Sequence, residues 1–271
     1  MSTSMYYIYP ITNRRKKIMK KAENKKNAAK NATHLLFAPE RKVIADSDAM
    51  KMAARATDYN DSRSEARNFK CMEFNGVKFT GEDLSGIEAH YAKFENCEFS
   101  ECKLSRMEAY FAEFSNCTFT NCDLENSNFG FAEIADTVFF NCNMDGVDFP
   151  FVQGNFSCTG CMMERSTANN ANLHLVLSQC NAAGFEANCS KIEIDAAGCS
   201  FNRSEFNDST ISGKFMQCDL TCSEFNRADL TDLGIENCAT HNMETEDSTG
   251  CDIFDQELED ALDELEEVLD D

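Results

Sequence analysis

The feature that most constrains this chain is an apolar residue at every fifth position. From Phe69 the register runs through Phe74, Phe79, Leu84, Ala89, Phe94, Phe99, Leu104, Ala109, Phe114, Phe119, Leu124, Phe129, Ile134, Phe139 and Met144 to Phe149 without a break. An amphipathic helix needs a period near 3.6 and a half-buried strand a period of 2, so five fits neither. Two residues before most centres sits something small, as at Ala92, Cys97, Cys102, Ala112, Cys117, Cys122, Ser127, Ala132 and Cys142.

The pentads also repeat in fours. Phe79, Phe99, Phe119 and Phe139 form one column at a spacing of twenty. Phe74, Phe94, Phe114 and Ile134 form a second, and Cys102, Cys122 and Cys142 a column of small residues. A period of twenty made of four fives describes a square coil with one pentad per side. Successive coils stack like parallel strands, about 4.8 Å apart, and each repeat buries its face only against its neighbours. The chain therefore reads as an all-β solenoid.

The segments CDLEN (122–126), CDLTC (218–222) and ADLTD (228–232) resemble the A-(D/N)-L-x-x motif of the pentapeptide repeat family. That resemblance covers roughly 67–240 and implies a right-handed quadrilateral β-helix. It also implies that each centre and its small partner face inward while the other three residues face out. Beyond Phe149 the register falters near 152–162 and again across 174–199. It recovers at Phe201, Phe206 and Ile211, then slips by one residue to Phe215, Leu220, Phe225, Leu230 and Ile235. Loops or bulges are expected at those slips, within one β-helix spanning 67–251.

The ends differ from the middle in charge. Residues 1–56 carry 13 basic and 4 acidic residues, a net +9. Residues 57–251 carry 12 and 32, a net −20, and residues 252–271 carry 0 and 11, a net −11; together these give −22. Residues 1–66 read as a basic, partly helical arm, either a solvated tail or a segment that touches an acidic surface. Residues 252–271 read as an acidic amphipathic helix with Phe254, Leu258, Leu262, Leu265 and Leu269 on one face. In the pentapeptide family a C-terminal helix sometimes dimerises. Here a cap on the last coil, or a basic partner, competes with that role.

Catalytic signatures are not expected. The histidines His34, His90, His174 and His241 have no neighbouring metal or triad constellation in the sequence. Cys158 and Cys161 have C-x-x-C spacing without a second pair. The fifteen cysteines, an odd number, read as reduced core residues of a reducing compartment. No apolar run is long enough for a membrane span, and no cofactor motif appears. A non-enzymatic, cytoplasmic interaction protein is expected, with delivery into a host cell or a structural role in a larger assembly as alternatives.

Two outward features follow from the geometry that the resemblance implies. Residues 69–240 make a rod of roughly 41 Å at about 4.8 Å per coil, and the net −20 of residues 57–251 set on that length gives about one negative charge per 2 Å. Duplex DNA carries one per ~1.7 Å. Some pentapeptide repeat proteins bind DNA gyrase or topoisomerase IV by imitating a DNA segment, so the resemblance implies a type II topoisomerase or another DNA-binding protein as a partner, without direct duplex binding by the rod. The candidate acidic contacts are Glu73, Glu88, Glu108, Glu113, Asp123, Glu133 and Asp148. The second feature is an exposed, outward-facing aromatic stripe of Tyr91, Phe111, Phe131 and Phe151, with Tyr110 beside Phe111. A contiguous apolar stripe is expected to be covered, by the segment 33–57 with its Leu35, Leu36, Phe37, Met50 and Met52, by a second copy in a homodimer, or by a partner.

Overall fold

The computed structural model describes residues 41–44 and 68–250. Among the described residues every regular element is a strand. The expected C-terminal helix, with Phe254, Leu258, Leu262, Leu265 and Leu269, lies outside them, as does most of the N-terminal arm. Residues 41–44, the described part of that arm, are extended. Strand β1 (Lys42–Val43) adds in parallel to β2 (Met72–Asn75), and Ile44 behind it is buried. These residues extend the sheet, the amides of Lys42 and Ile44 donating to the carbonyls of Cys71 and Glu73.

The first half is a β-solenoid of 20-residue coils. On one side β2, β4 (Lys93–Glu95) and β6 (Glu113–Ser115) stack in register, so that Phe74, Phe94 and Phe114 are paired. On the next side β3 (Lys78–Thr80), β5 (Glu98–Ser100) and β7 (Thr118–Thr120) align Phe79, Phe99 and Phe119. Every pentad centre from Phe69 to Phe149 is buried. The column of phenylalanines stacks ring on ring, with centroids 4.8 Å apart for Phe79–Phe99, 4.5 Å for Phe99–Phe119 and 4.8 Å for Phe119–Phe139. Aromatic spacing and strand spacing coincide, which lets a large residue recur in one column without a void.

Corners are made by the residue two after each centre, which adopts a left-handed backbone. Asn96, Asn116, Asn126 and Gly146 are examples, with φ of 54°, 52°, 57° and 64°. Asn and Gly tolerate that region best. On two of the four sides the corner also closes an i to i+3 hydrogen bond, as from the Met107 amide to the Leu104 carbonyl at 3.0 Å. A left-handed third residue with that bond is the geometry of a type II turn.

The stretches expected to be irregular, and the slip before Phe215, share one structural cause: the coil shortens from 20 to 19 residues. Strand β8 (Glu133–Phe140) pairs with β9 (Gln153–Thr159) through one bulge between Ile134 and Thr137. After it, β9, β10 (Asn172–Ser178), β11 (Lys191–Ala197) and β12 (Thr210–Met216) align at steps of nineteen. Each is a straight seven-residue strand that replaces two short sides and the corner between them. The pattern changes accordingly from a period of five to a period of two. Leu173, Leu175 and Leu177 point in, and His174 and Val176 point out. At the transition Gly154 has φ +127°, and a Cβ there would lie 1.7 Å from the Ile134 carbonyl oxygen. Only glycine fits that close approach. The next coil returns to twenty, with Gly213 paired to Leu233 of β13 (Leu233–Glu236).

Candidate interaction surfaces

The side that follows the Ala89 pentad carries a ladder of carboxylates. Bridges join Asn68, Glu88, Glu108, Asn128, Asp148, Thr167, Glu186, Glu205, Glu224 and Glu244 into one column. Seven of those ten positions are acidic. Glu88, Glu108 and Asp148 were expected on one edge. Glu186, Glu205, Glu224 and Glu244 continue it, and sequence reasoning passed over them because they recur at nineteen. The spacing 186–205–224 was the available signal.

In the second half these carboxylates are held by a parallel ladder of asparagines. Asn188 Nδ2 donates to Glu205 Oε2 at 3.1 Å, and Asn207 Nδ2 donates to Glu224 Oε2 at 3.1 Å. The other amide atom links the coils. Asn169, Asn188 and Asn207 Oδ1 accept from the backbone amides of Asn188, Asn207 and Asn226 at 2.7, 2.8 and 2.8 Å. A neutral amide donor fixes a carboxylate in place and leaves its charge intact. In the first half the same column is partly neutralised. Lys70 pairs with Glu88 and, by hydrogen bonding to it, holds its carboxyl below the usual range. His90 Nε2 lies 3.3 Å from Glu108.

The remaining predicted acids stand in other columns. Glu73, Glu113 and Glu133 share the column that contains Lys93, and Asp123 stands in a third with Lys103 and Asn143. Lys93 reaches Glu73 at 3.7 Å and Glu95 at 3.0 Å. Arg41 pairs with Glu113 at 2.6 Å. The seven candidates therefore occupy three columns.

The aromatic stripe forms the adjoining corner. Its rings stack in sequence, at 5.2 Å for Tyr91–Phe111, 4.9 Å for Phe111–Phe131 and 4.7 Å for Phe131–Phe151. All four residues are half-buried. All four are also left-handed, with φ of 59–61°, a conformation that costs an aromatic residue more than glycine or asparagine. Tyr110 stands outside this stack; its ring pairs with His90 at 5.4 Å and leans over Gly130. Arg41 Nε donates to the Tyr91 carbonyl at 2.9 Å, which brings this one residue of the basic segment beside the first ring. Residues 33–40 and 45–57, the expected cover, lie outside the described residues.

The cysteines line an inner corner. Cys102, Cys122, Cys142, Cys161, Cys180, Cys199, Cys218 and Cys238 recur coil by coil. Each thiol has a carbonyl to donate to, as for Cys122 Sγ with Phe99 O at 3.3 Å and Thr120 O at 3.4 Å. Cys161 belongs to this column, donating to the carbonyls of Phe139 and Thr159, whereas Cys158 points into the core, where burial pushes its thiol well up. The C-x-x-C spacing is thus two successive positions of the solenoid. Among the described residues no helix is long and apolar enough to cross a membrane.

The sequence matches the family described as pentapeptide repeat region over residues 92–173 and that described as pentapeptide repeats (8 copies) over residues 68–106. No curated sequence matches the chain. Among solved structures it is similar to HetL, a pentapeptide repeat protein involved in heterocyst differentiation regulation from the cyanobacterium Nostoc. That match has 13% identity and a TM-score of 0.28, and covers 76% of this chain and 94% of that one. It is also similar to QnrB1, a plasmid-mediated fluoroquinolone resistance protein, at 17% identity and TM-score 0.31, covering 68% and 84%. A third is the pentapeptide repeat protein Rfr23 of the cyanobacterium Cyanothece, at 11% identity and TM-score 0.21, covering 41% and 89%. Five-residue periodicity, four-sided coils and the two sequence matches agree over residues 68–173: this part of the chain is a pentapeptide repeat region.

Proposed function

We propose that this protein is a non-enzymatic interaction module whose acidic rod takes the place of duplex DNA on a DNA-binding protein, a type II topoisomerase being the reference partner. The observation that carries the reading is the carboxylate column from Glu88 to Glu244, with its second half pinned by asparagine amides. Regularly spaced anions on a rigid rod, pinned by amides rather than by cations in the second half, present a DNA-binding groove with about one charge per 4.8 Å coil, of the order of the one per ~3.4 Å along a single DNA strand. Pre-ordered carboxylates also lose little side-chain entropy on binding, which strengthens a purely electrostatic contact. The remaining acids add to the long-range field, which steers encounter and is screened beyond about 8 Å at 0.15 M salt.

The test is direct binding to purified DNA gyrase holoenzyme across a salt series. Wild-type rod should bind with an affinity that falls steeply with salt. Reversing Glu88, Glu108 and Asp148 to Lys should weaken binding and flatten that dependence, with melting unchanged. Equal affinity of the two proteins, or no binding of either, contradicts the reading.

A further inference from the structure

Half a coil away from the carboxylate ladder, the outward face of β5, β7, β8, β9, β10, β11 and β12 has a different character. One column on it reads Glu98, Thr118, Val138, Ser157, Val176, Asp195, Lys214 in successive coils. The column beside it reads Ser100, Thr120, Phe140, Thr159, Ser178, Ala197, Met216. From Thr118 to Ser178 neither column holds a charge, on a segment whose net charge is −20 (12 basic against 32 acidic residues). Four of the six large apolar side chains exposed among the described residues lie here, Val138, Phe140, Val176 and Met216 at 39, 44, 44 and 39% exposure, while Val43 and Met162 lie elsewhere. Exposed apolar residues collected on one flat strand face mark an interface.

The geometry points to a second copy of this chain as the occupant, packed face to face about a two-fold axis at Ser157. The charges are the argument. Counting three coils either way from Ser157 reaches Glu98 in one direction and Lys214 in the other. A two-fold axis there sets Glu98 of each copy against Lys214 of the other, Thr118 against Asp195, and Val138 against Val176. The pairing in that column holds no like charges, and an isologous contact requires this self-complementarity. Glu98 is bonded to Lys78 at 2.9 Å, and Lys214 to Glu236, so the cross pairs would extend two existing ion pairs into an alternating network. Five coils of long strand, about 23 Å wide, and two of three-residue strand, about 10 Å wide, at about 4.8 Å per coil give about 650 Å² per copy, near the ~800 Å² per partner of a standard interface. The arrangement also answers the objection from net charge. It leaves both carboxylate ladders turned outward, farther apart than the ~8 Å over which exposed charges act at 0.15 M salt.

The experiment measures the mass of the full chain by sedimentation from 1 to 100 µM, with thermal melting as the fold control. The wild type should dimerise in that range. Val138→Asp with Val176→Asp should leave a monomer with an unchanged melt. Glu98→Lys and Lys214→Glu should each weaken the dimer about tenfold or more, and the two together should restore it, which a merely structural role for either residue would not produce. A monomeric wild type, a dimer unmoved by the paired aspartates, or failure of the charge swap to restore association overturns the proposal. None of these outcomes touches the carboxylate ladder, whose test is binding to gyrase.

Discussion

The ring of Tyr110 occupies the space that a side chain at Gly130 would need, one coil further along. A Cβ built on Gly130 falls 2.9 Å from Tyr110 Cε1. Gly130 is not left-handed, so its requirement is space alone, and the obstacle is the movable edge of a ring. Gly130→Ala should therefore cost about 1 kcal/mol or less, and should shift the tyrosine emission of a chain that has no Trp. Gly154→Ala should behave differently. Its Cβ would enter the Ile134 carbonyl from a backbone at φ +127°, and loss of several kcal/mol, or of folding, is expected. Equal melting temperatures for the two variants would contradict the packing at the coil transition.

Phe119 and Thr118 are neighbours with opposite fates. Phe119 is fully buried between Phe99 and Phe139, while Thr118 faces outward and is half-exposed. Phe119→Asp should abolish the cooperative melt, because an unpaired carboxylate would sit in a stack of rings. Thr118→Asp should leave the melt within about 1 kcal/mol of wild type, as most surface changes do.

The asparagine ladder makes a prediction of its own. Asn207 accepts from the Asn226 amide, donates to Glu224, and gives its backbone amide to Asn188. Asn207→Ala removes the first two bonds and should cost about 1–3 kcal/mol, the range for hydrogen bonds that include one to a charged group. Asn207→Asp should cost more, since it sets a second carboxylate against Glu224. Chemical denaturation of the three proteins checks the order.

How much of this was legible beforehand depends on the half of the rod. From Phe69 to Phe149 one residue per pentad announces the inward direction, so Phe119 and Cys122 could be placed from spacing alone. After Gly154 the coil drops a corner and a residue. The inward positions Leu173, Leu175 and Leu177 then alternate, and a count by fives reports irregularity where the structure is as regular as before. The same change hid Glu186, Glu205 and Glu224, since a search at twenty steps past them. Tyr110 was grouped with the stripe because it adjoins Phe111 in sequence. The corner turns the two rings apart, onto neighbouring columns. The neutral face around Ser157 was invisible for a different reason. Thr118, Val138, Ser157 and Val176 share no residue type, and only strand register brings them into line.

The account's central claim is that the pinned carboxylates stand in for DNA. Its most direct test is displacement of a labelled DNA duplex from purified gyrase holoenzyme by the wild-type rod and by a variant carrying Glu186→Gln, Glu205→Gln and Glu224→Gln. These substitutions keep shape and hydrogen-bonding capacity while removing three charges from the ladder. Wild-type rod should displace the duplex, less effectively as salt rises. The triple variant, melting as the wild type does, should require about tenfold more protein for the same displacement. Displacement by both at equal concentration, or by neither, would contradict the claim.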